Sequence, residues 1–274
     1  SYIDFYDIAV TGLVTGDTAV VRRILGTLRT ESFARYSYFT NLETMTFGTP
    51  IWFTTNSNFQ GPVHSNAQFN IAGSPVFNGP VSSAATSINY RTPPPAGGNN
   101  PQFNGGLSLG ASTVQLPLSS TALRVAASAA SGQWYTGNTT IVMQSSSPCG
   151  SLQPPCLLVT NPVLGWTNQP RPLPANGAIF VNGGNATVSG TLNGQLTIGS
   201  SHNVVVSDHI RSADNPQTNP ASNDLLGLVA ERNVVIAWAA PDNLTIQASI
   251  MALNESFTVE NWWVGPPQGT LSIY

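Results

Sequence analysis

Between Glu43 and Asp208 the chain has no aspartate or glutamate, and none of its 274 residues is lysine. Within that interval, short apolar runs alternate with Gly, Asn and Ser. They include Ile51-Trp52-Phe53, Gly61 to Asn66, Phe69 to Gly73 and Pro75 to Gly79. The same style returns in Ala178 to Val181, Ala186 to Gly190, Gln195 to Gly199 and Asn203 to Ser207, and continues in Asn233 to Trp238 and Leu244 to Ala252. Each run is too short for a helix and ends in turn residues, so the pattern predicts short strands. Neutral Asn, Ser, Thr and Gln side chains can stack on one another without the repulsion of stacked like charges. Val188 and Val205 lie about one solenoid coil apart, which favours a parallel β-solenoid. A β-sandwich or jelly roll shares the alternation and is the competing fold.

Other segments break the pattern. Tyr2 to Leu25 alternates apolar and polar residues around Gly12 and Gly16 and reads as a β-hairpin. Thr27 to Asn41 fits a short amphipathic helix or a strand. Thr92 to Gly106 is rich in Pro, Gly and Asn and reads as a loop leaving the body. Ser119 to Ser131 reads as a short helix set into the solenoid, and Ser212 to Asn223 as a second excursion. Cys149 and Cys156 are the only cysteines, close in sequence and without His or carboxylate neighbours. They predict a local disulfide in an exported, extracytoplasmic protein rather than a metal site.

The scarcity of ionisable groups excludes much chemistry. The acid-free interval cannot itself supply paired general acid and base or a calcium cage. His64, His202 and His209 lie in no nucleophile elbow or triad-like arrangement, and His64 reads as a hydrogen-bonded corner residue. Asp208, His209, Arg211, Asp214 and Asp224 form the densest ionisable group. It fits either the calcium ligands and basic residue of a polysaccharide-cleaving β-helix or solvated turn carboxylates, and the second reading is adopted here. The chain is therefore read as non-enzymatic, with no metal and no cofactor.

A net charge of −3 argues against a strong electrostatic footprint. Arg91, Arg124 and Arg171 nevertheless leave the acid-free interval weakly positive. With the aromatics Trp134 and Tyr135 they are the candidate contacts for a polyanion such as DNA. Trp166, Trp262 and Trp263 are further candidate platforms for bases or sugars, with core packing as the competing role. Arg22, Arg23, Arg29 and Arg35 read as a solvated face neutralised by Asp4, Asp7, Asp17 and Glu31. Asn138, Asn185, Asn243 and Asn254 each open an N-x-S/T sequon, a pattern expected by chance where Asn and Thr abound.

The phrases Glu31-Ser32-Phe33-Ala34-Arg35-Tyr36, Gly61-Pro62-Val63-His64-Ser65-Asn66 and Asp224-Leu225-Leu226-Gly227-Leu228-Val229-Ala230 carry a resemblance. Over roughly Ser32 to Thr258 the chain resembles the ComZ-type, competence-associated type IV minor pilins, pilin-like proteins with an inserted β-solenoid. The resemblance implies a mainly β fold in which a parallel β-solenoid is inserted in a type IV pilin-like β-sheet, with short helices and long loops. Residues 1–48 would be pilin-like strands and a short helix, 49–258 the solenoid, and 259–274 a return strand toward the pilin-like sheet. The implied role is capture and uptake of extracellular DNA at a pilus tip, the cell surface or the periplasm. Implied partners are other minor pilin subunits and DNA, bound directly or through a partner pilin. A full-length form would be membrane-anchored by an N-terminal helix absent from these residues. The alternative is a cell-surface β-helix adhesin that binds or cleaves glycans.

Overall fold

A computed structural model describes all residues except 1–4, 15–16, 30–34, 45–47, 117–118, 217, 262–263, 265–268 and 274. The chain divides into two compact units, Ser1–Thr113 and Val114–Tyr274. It is mainly β, and most strands pair in parallel.

The first unit opens with an antiparallel ribbon of β1 (Phe5–Val14) and β2 (Asp17–Arg29), the hairpin predicted from alternation. Val10 lies opposite Ile24 and Ile8 opposite Gly26, so one face carries exposed aliphatic side chains, with Ile24 70% exposed. Thr27 to Arg29 belongs to β2 and the next described strand is β3 (Tyr38–Thr40), so the ambiguous Thr27 to Asn41 segment is strand at 27–29 and 38–40.

From β3 the chain winds in coils of three short strands. The first coil is β3, β4 (Trp52–Thr54) and β5 (Asn58–Phe59); the second is β6 (Val63–Ser65), β7 (Asn70–Ala72) and β8 (Val76–Phe77). The third is β9 (Val81–Ser83), β10 (Asn89–Tyr90) and β11 (Gln102–Phe103), and β12 (Leu107–Leu109) begins another turn. Stacking gives three parallel sheets ordered β3-β6-β9-β12, β4-β7-β10 and β5-β8-β11. Each inward residue lies on its counterpart one coil away. The rings of Phe59, Phe77 and Phe103 stack in one column at 5.4 and 5.2 Å, with nearly parallel planes. Polar side chains form matching ladders, as where Asn104 Nδ2 donates to Asn78 Oδ1 at 2.8 Å. At one corner Gly61, Gly79 and Gly105 stack so closely that a Cβ on Gly79 or Gly105 would lie 2.3 or 2.2 Å from the carbonyl carbon beneath. The Thr92 to Gly106 loop is tied back at its end, since Asn99 Oδ1 accepts from the Gly73 N–H and Gln102–Phe103 forms β11.

The second unit repeats the principle with longer strands. A helix, α1 (Thr121–Ser128), lies within the expected Ser119 to Ser131. Then come β13 (Gln133–Thr136), β14 (Thr139–Gln144), an antiparallel excursion of β15 (Cys156–Asn161) and β16 (Trp166–Pro172), β17 (Ala178–Asn182) and β18 (Ala186–Leu192). Further coils use β19 (Gln195–Ser200), β20 (Val204–Ser212), β21 (Leu225–Ala230), β22 (Val234–Ile236) and β23 (Asn243–Ile246). The last described strands are β24 (Ser249–Ala252), β25 (Phe257–Val259) and β26 (Thr270–Ile273).

One sheet is ordered β13-β17-β19-β21-β24; the other runs from β16 through β15, β14, β18, β20 and β22 to β25. The ladder between β18 and β20 shifts register after Val188, so Gly190–Leu192 meets Ile210–Ser212 and builds a third side. Ile210, Ile246 and Ile273 continue that side through β23 and β26. Val188 pairs with Val206 and Thr187 with Val205, so the coil is one residue longer than the Val188 to Val205 spacing proposed from sequence. The run Leu244 to Ala252 divides at Gln247 and Ala248 into two strands on different sides. Residues 270–273, expected to lead toward a pilin-like sheet, pair in parallel with β23 and so extend this coil stack.

Corner asparagines join successive coils. Asn138 Oδ1 accepts from the Asn185 N–H, Asn185 from Asn203, Asn203 from Asn233 and Asn233 from Ser256, at 2.9–3.1 Å. Asn243 Oδ1 likewise accepts from Thr270. Three of the four sequon asparagines are thus corner residues. Cys149 and Cys156 form the expected disulfide, with S–S 2.03 Å.

The Phe column sets a graded prediction. Phe77, with a ring on each side and no exposure, should cost about 3–5 kcal/mol on truncation to Ala. Phe103→Ala, at a partly exposed end of the column, should cost clearly less in the same urea-unfolding series.

Candidate functional site

The candidate polyanion contacts fall into separate settings. β13 sends neighbouring residues to opposite faces, because successive strand side chains alternate. Tyr135 enters the core, where it is 4% exposed, donates to Gln133 Oε1 at 2.8 Å and meets Trp166 edge-on at 6.2 Å. Arg171 on β16 lies over the same Trp166 ring at 5.1 Å, and its buried Nε has no hydrogen-bond partner. Burial raises the Tyr135 phenol, and Arg171 beside it draws it part of the way back. Tyr135, Trp166 and Arg171 are therefore one packed cluster, in which Tyr135 offers no stacking face.

Trp134 takes the outer face of β13. It is 38% exposed and stacks on Phe180 at 5.3 Å. Arg124 of α1 lies over the other partner in this group, 4.3 Å from the Phe180 centroid. Its guanidinium binds Glu231 through two nitrogens, Nε to Oε1 at 2.8 Å and Nη2 to Oε2 at 2.7 Å, while Nη1 donates to Asn182 at 3.0 Å. Ser120, just before the helix, donates its hydroxyl to the same Glu231 instead of capping the helix. Hydrogen bonding from Arg124 holds the Glu231 carboxyl below its usual range, and that bond raises Arg124 in return. The positive charge assigned to Arg124 from sequence is thus neutralised inside the chain. The helix can dock this closely because residue 199 is Gly: a Cβ there would stand 2.5 Å from Leu123 Cδ2 and 2.7 Å from Phe180 Cδ2.

Arg91 is exposed at the end of β10 in the first unit, with its backbone held by Ile71 and Asn99. Of the other basic set, Arg23 is exposed and Arg35 lies 4.9 Å from the Tyr36 centroid, while the Arg22 and Arg29 side chains, and Trp262 and Trp263, lie outside the described residues.

His64 is structural. Buried in β6, it contacts Ser82 Oγ at 2.7 Å and Asn66 Oδ1 at 3.0 Å and stacks on Phe39 at 5.5 Å. The acidic loop is also accounted for: Asp224 accepts from the Gly194 and Asp214 N–H groups at 2.6 and 2.8 Å, and Asp214 accepts from Asn219. Among the described residues no group of three or more His, Cys, Asp or Glu could hold a metal ion.

Sequence reasoning missed Glu43. It is 1% exposed, its Oε2 accepts from Tyr38 at 3.3 Å and its Oε1 carries no hydrogen bond. Burial pushes its carboxyl up to about 8, against smaller opposing effects of Ser65 and Tyr38. Burial, and then the Glu43 charge, also push the Tyr38 phenol up. No local motif announces this burial. It follows from the main chain, because the Glu43 carbonyl accepts from the Ile51 N–H and from Asn70 of the next coil.

A family model described as a domain of unknown function (DUF4900) matches residues 7–86, from the β1–β2 ribbon into the third coil. No curated protein and no solved structure matches the chain.

The two carboxylates predict opposite pH responses. Glu43 binds its proton more tightly folded than unfolded, so its contribution is full below about pH 4.5 and is lost as pH rises to about 8. Glu43→Gln should flatten that decline and stabilise the protein at pH 9 by a few kcal/mol, on the order expected for a shift of this size, as read by urea unfolding. Glu231 is depressed, so its contribution is present above the ordinary carboxylate range and is lost on acidification. Arg124→Ala should remove that acid-side loss and destabilise the neutral-pH protein by roughly 1–2 kcal/mol.

Proposed function

We propose that this chain is a non-catalytic β-solenoid subunit of a competence-type type IV pilus, displayed outside the cytoplasm and taking part in capture of extracellular DNA. The observation that carries the reading is the order of its parts: an antiparallel ribbon with an apolar face, Ile8, Val10 and Ile24, followed by parallel coils from β3. That is the order implied by the resemblance to minor pilins, in which a sheet carries an inserted solenoid. The exposed ribbon face favours cover by another pilin segment, since a two-stranded ribbon is marginal by itself. The disulfide fits an oxidising compartment.

For DNA, the arrangement favours a modest role for this chain and a larger one for a partner pilin. Arg124 is committed to Glu231, Tyr135 to the core and Arg171 to the Trp166 ring, which leaves Arg91 and the exposed part of Trp134 as direct contacts. Duplex binding by the isolated chain should therefore be weak, with log K falling against log salt at a slope no steeper than about −1. Anisotropy titrations of wild type and Arg91→Ala measure this; a steep slope untouched by the substitution would place the contacts elsewhere. Codons for a prepilin peptidase site and an apolar helix upstream of Ser1 would test the pilus assignment itself.

One observation favours the adhesin reading: Trp134 is 38% exposed on the outer face of its strand, and an exposed aromatic suits a sugar ring. Saturable quenching of tryptophan fluorescence by oligosaccharides, lost in Trp134→Ala, would favour it over the pilus.

A further inference from the structure

In the first unit, the sheet ordered β3-β6-β9-β12 aligns Phe39, His64, Ser82 and Ser108 in one column. On β6 and β9 the residues flanking this column, Val63, Ser65, Val81 and Ser83, enter the core at 2% exposure or less. Strand alternation therefore places the column on the outer face of the sheet. In-register stacking thus brings an imidazole and a hydroxyl together there, at residues 18 apart in sequence.

The contacts that hold His64 in place also fix its tautomer. Asn66 Nδ2 donates to Asn41 Oδ1 at 3.0 Å, so the Asn66 oxygen faces the imidazole and accepts from its Nε2–H, also at 3.0 Å. Nδ1 is then the lone-pair nitrogen, and it accepts the Ser82 O–H at 2.7 Å. A hydroxyl, an imidazole in a fixed tautomer and a side chain that orients the imidazole are the parts of an activated serine. The triad-like arrangement that local spacing did not show is assembled by the coil repeat. Its surroundings suit the charge that follows proton transfer: the His64 ring is 2% exposed, stacks on Phe39 at 5.5 Å and meets Tyr36 at 5.8 Å, and aromatic faces attract a cation.

We propose that Ser82 is a covalent modification site, an acceptor for an acyl group delivered as an activated ester or thioester. Oγ attacks the carbonyl carbon of the donor while its proton passes to His64 Nδ1. The new Oγ–C bond forms, the bond to the leaving oxygen or sulfur breaks, and the imidazolium returns the proton to the leaving group. Nothing is oxidised or reduced. The chain is the acceptor and not a catalyst, because release of the group needs a water at Nδ1. That ring is buried against Phe39 and Tyr36, and the acylated Ser82 itself covers Nδ1, so water is kept from the position and the group stays. The column carries its own control. Ser108, opposite Ser82 one coil on, is the more exposed hydroxyl, but the imidazole bonds to Ser82.

Brief treatment of the full chain with p-nitrophenyl acetate, followed by peptide mass spectrometry, tests this, and the lack of lysine removes the usual competing amines. Ser82 should be acetylated on the order of a hundredfold faster than Ser108, the low end for a positioned general base. It should keep the acetyl group after the reagent is removed. His64→Gln, with an unchanged circular dichroism spectrum, should bring Ser82 down to the Ser108 rate. Should that variant unfold, the wild-type ratio of the two serines is joined by Asn66→Ala, which removes the orienting amide and should slow Ser82 severalfold with Ser108 unchanged. Equal labelling of the two serines in wild type, or no labelling of Ser82, overturns the proposal. So does an acetyl group shed from Ser82 as fast as it is added, or a folded variant at His64 or Asn66 that labels as wild type does.

Discussion

In-register stacking of one coil on the next governs this molecule. From β3 to β12 each strand of the first unit is two or three residues long and would have no stability alone; its partners one coil away supply both its hydrogen bonds and its cover. The requirement is columnar, so a residue must suit the residue above and below it as well as the sheet. Phenylalanine stacks on phenylalanine, the isoleucines at 210, 246 and 273 align, and asparagine amides pass from corner to corner. Where the coils approach most closely the column consists of glycine at 61, 79 and 105.

That constraint explains why charge is nearly absent. A charged residue repeated along a column would face its own like at strand spacing, a few ångströms away, and neutral amides and hydroxyls avoid the repulsion while still bonding between coils. The ionic groups that do occur in packed positions have local remedies. Arg124 and Glu231 neutralise each other at 2.7 Å, with the Arg124 guanidinium over the Phe180 ring. Glu43, where the first coil begins, is instead favoured in its neutral form by burial, which pushes its carboxyl up to about 8. The same economy limits what the surface can offer: Arg124, bound to Glu231, and Arg171, packed over Trp166, are not free to contact a polyanion.

The strand runs, the hairpin, the short helix and the disulfide were legible because they rest on local patterns: period-two alternation, Gly and Asn punctuation, and a short cysteine loop. The spacing of about one coil between Val188 and Val205 was legible to within a residue, whereas the register shift between Val188 and Gly190, which lengthens the later part of that coil, was not, because it is a property of the paired ladder. The site was less legible than the fold. Trp134 and Tyr135 looked equivalent as neighbours, yet strand alternation sends one outward and the other into the core. Arg124 looked free because its carboxylate lies 107 residues away in sequence.

By itself, then, the sequence determined that the chain forms short strands, has no aspartate or glutamate between Glu43 and Asp208 and carries one local disulfide, since these follow from composition and near-neighbour patterning. Tertiary structure alone decided which residues share a column, which arginine meets a carboxylate and that Glu43 is buried. Each of those depends on pairing between residues one or more coils apart, a distance over which local pattern carries no information.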